Sequence, residues 1–238
     1  MPRFFKEFFA DAPFLEGEDA KHIIKSLRMR PGEELTVCDT KGFDYHCTIA
    51  ECLDGRVELI INETVPNNTE PSVKVTLFQC LPKGDKMDSV VKQSVELGVS
   101  RIVPVLSDNC VSRPDQKSLI KKTERWQKIA DEAAGQCGRG ILPKVDACIS
   151  LNEVCQKLKD FDKAFFCYEL GGQPIGRLKD TKSVAIIIGP EGGFTAKEAD
   201  CLESAGATVT TLGPRILRTE TAPLAALTSV MLLTDNMK

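Results

Sequence analysis

Two loops rich in glycine and proline contain the residues of this chain that are best suited to binding a ligand. The first lies within IIIGPEGGFTAKE at Ile186–Glu198, and the second within LGPRILRTETA at Leu212–Ala222. Gly189, Gly192 and Gly193 allow backbone to approach a ligand closely. Neither loop matches G-x-G-x-x-G or G-x-x-x-x-G-K-[ST], so neither has the motif of a standard dinucleotide-binding site or of a P-loop. Together the two loops predict a cofactor pocket.

The residues around these loops predict the elements that position them. The β-branched run before the first loop is typical of a strand buried on both faces. Thr195, with Glu198 three residues later, predicts a capping box at the start of the next helix. A strand at Thr208–Leu212 leads into the second loop, and either Thr219 or Thr221 opens a long apolar helix.

A polar segment at Asn62–Ser72 predicts a boundary between two domains, residues 1–70 and 71–238. Before it, short β-rich runs separated by turn residues predict a small barrel. After it, strand and helix patterns alternate, which predicts a parallel α/β sheet covered by helices. The predicted strands are Glu34–Asp39, Phe43–Cys52, Arg56–Ile61, Val73–Cys80, Ile102–Leu106 and Ala164–Tyr168, and the predicted helices are Asp19–Leu27, Asp85–Leu97, Lys117–Gln136 and Leu151–Leu158.

Composition and charge exclude several classes of protein. The net charge of the chain is −3. Residues 71–145 have a net charge of +5 and residues 1–70 a net charge of −6, so a polyanion would bind to the middle part of the chain. The lack of an 18-residue apolar stretch and of an N-terminal signal pattern predicts a cytoplasmic protein without a membrane segment. Ten cysteines without a C-x-x-C pair, and only two histidines, predict reduced thiols and no metal site.

The two loops carry a resemblance to a known family. GPEGGF followed by LGPRILRTETA is similar to the knot region of the SPOUT methyltransferases, and specifically to the ribosomal RNA small-subunit methyltransferase E family. MPRFF at the start of the chain also looks like this family, as do His22–Leu35, Lys86–Val99 and Arg125–Arg139. These segments extend the resemblance over nearly the full length of the chain. One departure is Gly135, where the family usually has glutamate.

The resemblance implies methylation of N3 of a uridine in 16S ribosomal RNA, with S-adenosylmethionine as cofactor and 16S rRNA or the small ribosomal subunit as partner. It implies an α/β fold in which a C-terminal SPOUT domain with a parallel sheet and a trefoil knot follows a small PUA-like RNA-binding β-barrel. It also implies a homodimer. The segment Ala222–Leu233 is apolar almost all round, so one face should remain for a partner copy.

The resemblance also implies which residues bind the cofactor. The backbone of both loops is expected to hold it, with apolar side chains beside the adenine and the end of the preceding strand as a third wall. The residues expected there are Tyr168, Glu169, Leu170, Ile188, Gly189, Pro190, Gly192, Gly193, Leu212, Gly213, Ile216 and Leu217.

A uridine N3 holds its proton at neutral pH, so the enzyme must remove the proton or stabilise the resulting anion. Arginine suits the second task because its guanidinium is permanently charged and can donate to two adjacent acceptors. Arg218 and Arg139 are the candidates. Glu191 or Glu220 could act as a base, although each could instead cap a helix or pair with a lysine. No histidine lies near the loops.

Four basic residues of the first domain could form an RNA-facing patch: Arg3, Lys25, Arg28 and Arg30. The basic face of Lys117–Gln136 is either a second RNA contact or a solvated surface. Three other functions stay open. They are a related methyltransferase acting on another base or on a ribose, a non-catalytic RNA-binding protein with an inactive pocket, and a nucleotide-dependent oxidoreductase, whose fingerprint motif the chain lacks.

Overall fold

The computed structural model describes residues 1–237 and divides into two compact units. The first unit comprises Met1–Glu70 together with Ala134–Leu142, and the second comprises Pro71–Ala133 and Pro143–Lys238.

The first unit is built on a five-stranded sheet in the order β1-β3-β4-β5-β2. β1 pairs with β3 in parallel, and the remaining pairs are antiparallel. The tight turn between β4 and β5 contains Gly55, whose φ of 78° suits glycine. The strands are β1 (Arg3–Phe5), β2 (Phe14–Glu16), β3 (Glu34–Cys38), β4 (Phe43–Leu53) and β5 (Arg56–Pro66).

The helical segment of the first unit begins two residues before the predicted start. α1 (Gly17–Lys21) continues directly into a π-helix at His22–Leu27, and Arg28 ends it in the left-handed conformation with φ 55°. Ala20 and Ile23 from this segment pack into the apolar core of the unit, which also contains Phe4. The short strands β1 and β2 were not predicted, because three residues are too few to show a pattern of alternation.

The second unit contains a parallel sheet in the order β12-β10-β11-β6-β7-β8, with β9 also pairing with β7. Every strand pair in it is parallel, as the alternation of strands and helices predicted. The strands are β6 (Lys74–Cys80), β7 (Arg101–Leu106), β8 (Lys144–Val145), β9 (Ile149–Ser150), β10 (Lys163–Cys167), β11 (Ser183–Ile188) and β12 (Thr208–Thr210). The helices are α2 (Lys86–Glu96), α3 (Gln116–Gln136), α4 (Leu151–Lys157), α5 (Ala196–Ser204) and α6 (Ala222–Leu233).

β11 lies inside this sheet, between β10 and β6. Its residues from Val184 to Ile188 are at most 2% exposed, which explains the continuous apolar run in the sequence. α2 buries one stripe, including Met87 and Val91, and Gly98 follows it with a φ of 88°. Within residues 1–237, no helix combines the length and the apolar character that crossing a membrane requires.

Candidate functional site

A cavity of about 480 Å³ opens at the carboxyl ends of β10, β11 and β12, which are neighbours in the sheet. Ligand sites of parallel α/β sheets are found at this edge, because the loops that follow the strands converge there. The lining comes from the segments that follow the three strands, with one residue each from α2 and α6. These lining residues are Cys167–Glu169, Ile188–Gly193, Thr210–Thr219, Lys86 and Ala222.

The first loop is held in shape by hydrogen bonds from both sides. Gly193 adopts φ 64° and its N–H donates to Pro190 O at 3.0 Å, which closes a tight turn. The Asn109 side chain donates to Gly192 O at 3.0 Å and to Gly193 O at 3.2 Å. These carbonyl groups therefore have a fixed direction before any ligand binds.

The helix that follows the first loop starts with the predicted capping box. Thr195 N–H donates to Glu198 Oε2 at 2.8 Å, and Glu198 N–H donates to Thr195 Oγ1 at 3.3 Å. The other carboxylate oxygen, Glu198 Oε1, accepts from Asp108 N–H at 2.7 Å. Glu198 thus joins the start of α5 to the segment after β7, a link that the local motif alone does not indicate.

Gly193 also faces the side chain of Glu169, the second residue after β10. A Cβ added at Gly193 would lie 2.8 Å from Glu169 Cδ and 3.0 Å from Glu169 Oε2. Only a residue without a side chain leaves room for the carboxylate there. The loop after β10 and the first loop therefore meet through Glu169 and Gly193 inside the cavity lining.

A buried polar chain connects the second loop to the first. Thr219 Oγ1 donates to Gly189 O at 2.8 Å and accepts from Gln79 Nε2 at 3.1 Å. Gln79, fully buried at the end of β6, also donates to Cys80 O at 3.0 Å. Sequence reasoning missed Gln79, although a lone amide near the end of an otherwise apolar strand was the available signal.

A lysine that the sequence analysis did not identify joins the charged groups of the site. Lys86 Nζ lies 3.1 Å from Glu191 Oε1 and 3.1 Å from Glu220 Oε2. Burial by itself would raise the pKa of Glu191, but backbone N–H groups and Lys86 hold it below the ordinary value. The same balance, with Arg218 as a further positive charge, lowers the pKa of Glu220. The hydrogen bond to Glu191 and the close contact with the Glu220 carboxylate raise the pKa of Lys86.

Comparisons with known proteins agree with this architecture. A family model described as an RNA methyltransferase domain matches residues 69–231, and one described as an RNA methyltransferase PUA domain matches residues 15–61. The ribosomal RNA small subunit methyltransferase E of Bacillus subtilis (strain 168) is 34% identical over 100% of this chain and 99% of its own length. The chain belongs to the ribosomal RNA small subunit methyltransferase E family. The resemblance seen in the two loops is therefore confirmed.

Two further members of the family support this assignment. The enzyme of the same name from Aquifex aeolicus (strain VF5) is 30% identical over 91% of this chain and 92% of its own length. A crystal structure of ribosomal RNA small subunit methyltransferase E from Neisseria gonorrhoeae, bound to S-adenosyl methionine, superposes with a TM-score of 0.86 at 32% identity. It covers 98% of this chain and 98% of its own.

The structure brings eleven of the twelve expected cofactor-binding residues together in the lining of the cavity. The exception is Leu170, which follows Glu169 and is 78% exposed. Of the four catalytic candidates, Arg218 and Glu191 line the cavity, and Glu220 is linked to it through Lys86.

Arg139, the fourth candidate, belongs to the first unit and is not part of the cavity lining. Its guanidinium is almost completely buried and pairs with Glu70, at 2.9 Å from Nε to Oε1 and 2.6 Å from Nη2 to Oε2. Glu70 Oε1 also accepts from Gly140 N–H at 2.9 Å. This geometry connects the segment Ala134–Leu142 to the end of the segment Met1–Glu70 within the first unit.

The four basic residues predicted to contact RNA fall into two groups. Arg3 is largely buried, and its guanidinium binds both oxygens of Asp44 at 3.0 and 2.5 Å and donates to Arg139 O at 2.9 Å. Lys25, Arg28 and Arg30 are exposed and lie together in and just after the π-helix. Within residues 1–237, no cluster of histidine, cysteine and acidic residues is suited to hold a metal ion.

Proposed function

We propose that this protein transfers the methyl group of S-adenosylmethionine to N3 of a uridine in 16S ribosomal RNA. The observation that carries the proposal is the cavity at the ends of three adjacent parallel strands, with Arg218 in its lining. The membership of the chain in the ribosomal RNA small subunit methyltransferase E family supports the choice of substrate.

The residues present suit S-adenosylmethionine. The cavity volume of about 480 Å³ falls within the range of small-molecule sites. Its wall combines apolar side chains, such as Ile188 and Leu212, with loop backbone and the Glu169 carboxylate. The adenine can lie against the apolar side chains, and the carboxylate can accept hydrogen bonds from hydroxyl or amino groups. When bound, the cofactor supplies an electrophilic methyl group on a positively charged sulfur.

The protein contributes alignment and charge to this reaction. The two loops fix the direction from which a nucleophile must approach, and such alignment supplies a large part of the acceleration of a bimolecular step. The N3 proton of the uracil passes to solvent water, and the Arg218 guanidinium stabilises the negative charge that then develops on N3 and its flanking carbonyl oxygens. Glu191 and Glu220, both charged and both close to Lys86, are better placed to organise the loops than to accept the N3 proton.

The first unit positions the RNA. Lys25, Arg28 and Arg30 form an exposed basic surface that suits phosphate groups, whereas Arg3 and Arg139 maintain the structure of the unit through Asp44 and Glu70. The proposal further includes a closed PUA-like barrel in this unit, a trefoil knot in the second unit, and a cytoplasmic homodimer that associates through α6. Apolar side chains of α6 left exposed at Leu232 and Leu233 support the homodimer.

Two measurements test the function. Calorimetry should detect binding of S-adenosylmethionine, and a protein that only binds RNA should show none. Mapping of modified nucleosides in 16S rRNA from a deletion strain should show the loss of one N3-methyluridine, restored by the wild-type gene. Loss of a 2′-O-methyl group or of another methylated base would instead support a related RNA methyltransferase.

A further inference from the structure

Lys86 connects the two loops that form the cavity. It is the first residue of α2, and its ammonium group lies 3.1 Å from Glu191 of the first loop and 3.1 Å from Glu220, just after the second. Its side chain also forms part of the cavity lining. A single cation therefore joins two segments that are separated by nearly thirty residues of sequence.

The two carboxylates depend on Lys86 to different degrees. Glu191 Oε1 also accepts from Lys83 N–H at 3.1 Å, so it keeps a donor when Lys86 is removed. Glu220 has no second salt bridge within residues 1–237, and the other cation acting on it is Arg218, two residues earlier. Without Lys86, Arg218 would therefore be the cation that still acts on the Glu220 carboxylate.

We propose that Lys86 is a positioning residue: it neutralises Glu220 and thereby keeps the Arg218 guanidinium available for the uracil. This inference rests on the methyl transfer proposed above. Arg218 has an exposed side chain, and no salt bridge holds its guanidinium in the described part of the chain. A partnerless Glu220 would draw this guanidinium into a pair, because arginine and carboxylate bind each other in a two-point geometry.

Lys86→Met tests this role. It keeps the length and apolar character of the side chain and removes the charge. At saturating RNA and cofactor, we expect turnover to fall by about tenfold or more, because Arg218 is diverted from its charge-stabilising position. The affinity for S-adenosylmethionine should fall less than turnover. Lys86→Arg should restore most of the turnover, since its guanidinium can reach both carboxylates. The matched control is Lys92→Met, an exposed lysine of the same helix, which should behave like the wild type.

A double-mutant cycle with Glu220→Gln separates the proposal from a purely structural role of Lys86. In the Glu220→Gln background no carboxylate is present to capture Arg218, so Lys86→Met should cause no further loss of turnover. An equal loss in both backgrounds would overturn the proposal. A Glu220→Gln variant without any turnover would also overturn it, because Glu220 would then belong to the chemistry itself.

Failure of this inference is distinguishable from failure of the proposed function. Wild-type protein that binds S-adenosylmethionine but leaves small-subunit rRNA unmethylated would refute the function, and the role of Lys86 would fall with it. Active wild-type protein together with a fully active Lys86→Met variant would refute only the role of Lys86. Thermal unfolding of each variant identifies any loss of activity caused by misfolding.

Discussion

Replacing Gly193 by alanine should weaken cofactor binding in addition to destabilising the fold. Gly193 has a φ of 64°, and an alanine in the left-handed region costs roughly 1–2 kcal/mol. Gly206→Ala is the control, because Gly206 has a φ of 96° and nothing lies within 4 Å of an added Cβ. On backbone grounds, each variant should lose about 2–8 °C in Tm.

Only the Gly193 variant has a second effect. Its new Cβ would lie 2.8 Å from Glu169 Cδ, so the flexible end of Glu169 must leave its place in the cavity lining. If the carboxylate accepts one hydrogen bond from the cofactor, its displacement should raise the Kd for S-adenosylmethionine by about tenfold, the lower end for a charged hydrogen bond. Calorimetry measures this Kd, with Gly206→Ala expected to retain the wild-type value.

Glu169→Ala completes the test. It should raise the Kd by a similar factor without a backbone penalty, and the two changes combined should raise it no further, since both remove the same contact. Equal Kd values for Gly193→Ala and the wild type, or fully additive losses in the double variant, would refute the assignment of Glu169 and Gly193 to the cofactor site.

Three further predictions concern the reaction, the assembly and the effect of pH. Arg218→Lys should keep cofactor affinity and lose about 10²–10³ in single-turnover rate at saturating RNA, because a lysine cannot donate to two acceptors at once; a phosphate-binding role would instead leave that rate unchanged and weaken RNA binding. Sedimentation should show a homodimer of the wild type. Leu232 is 54% exposed in the single chain, and Leu232→Glu should dissociate the dimer. A stable, active wild-type monomer at micromolar concentration would contradict this prediction. The pKa values of Glu191 and Glu220 are lowered and that of Lys86 is raised, so the stabilisation by their ion pairs should be fully present between the ordinary values of 4.5 and 10.5. It should decline only as the pH falls through the lowered carboxyl pKa or rises through the raised lysine pKa. Without the pairs these groups would keep their ordinary pKa values and contribute no pH dependence, so identical profiles of Tm against pH for the wild type and Lys86→Met would contradict this prediction.

The sequence by itself determined the features that depend on neighbouring residues. The apolar run of β11, the stripe of α2 and the Thr195–Glu198 capping box are local patterns, and the structure has all three. The alternation of strands and helices was sufficient to predict a parallel sheet, because a parallel connection needs a crossover. The two loops could be named as a candidate binding region because glycine and proline restrict the backbone in known ways.

The contacts that complete the site were decided by the tertiary structure. Lys86, Gln79 and Asn109 reach the loops because β6 lies beside β11 and β7 lies beside β6, and this strand order cannot be read from any local pattern. The tertiary structure also determines the surroundings of Arg3 and Arg139. Their basic side chains looked available in the sequence, but the folded chain places Asp44 beside one and Glu70 beside the other. Burial makes an unpaired charge costly, so the tertiary partner of each arginine, rather than its residue type, determines whether it is free to act.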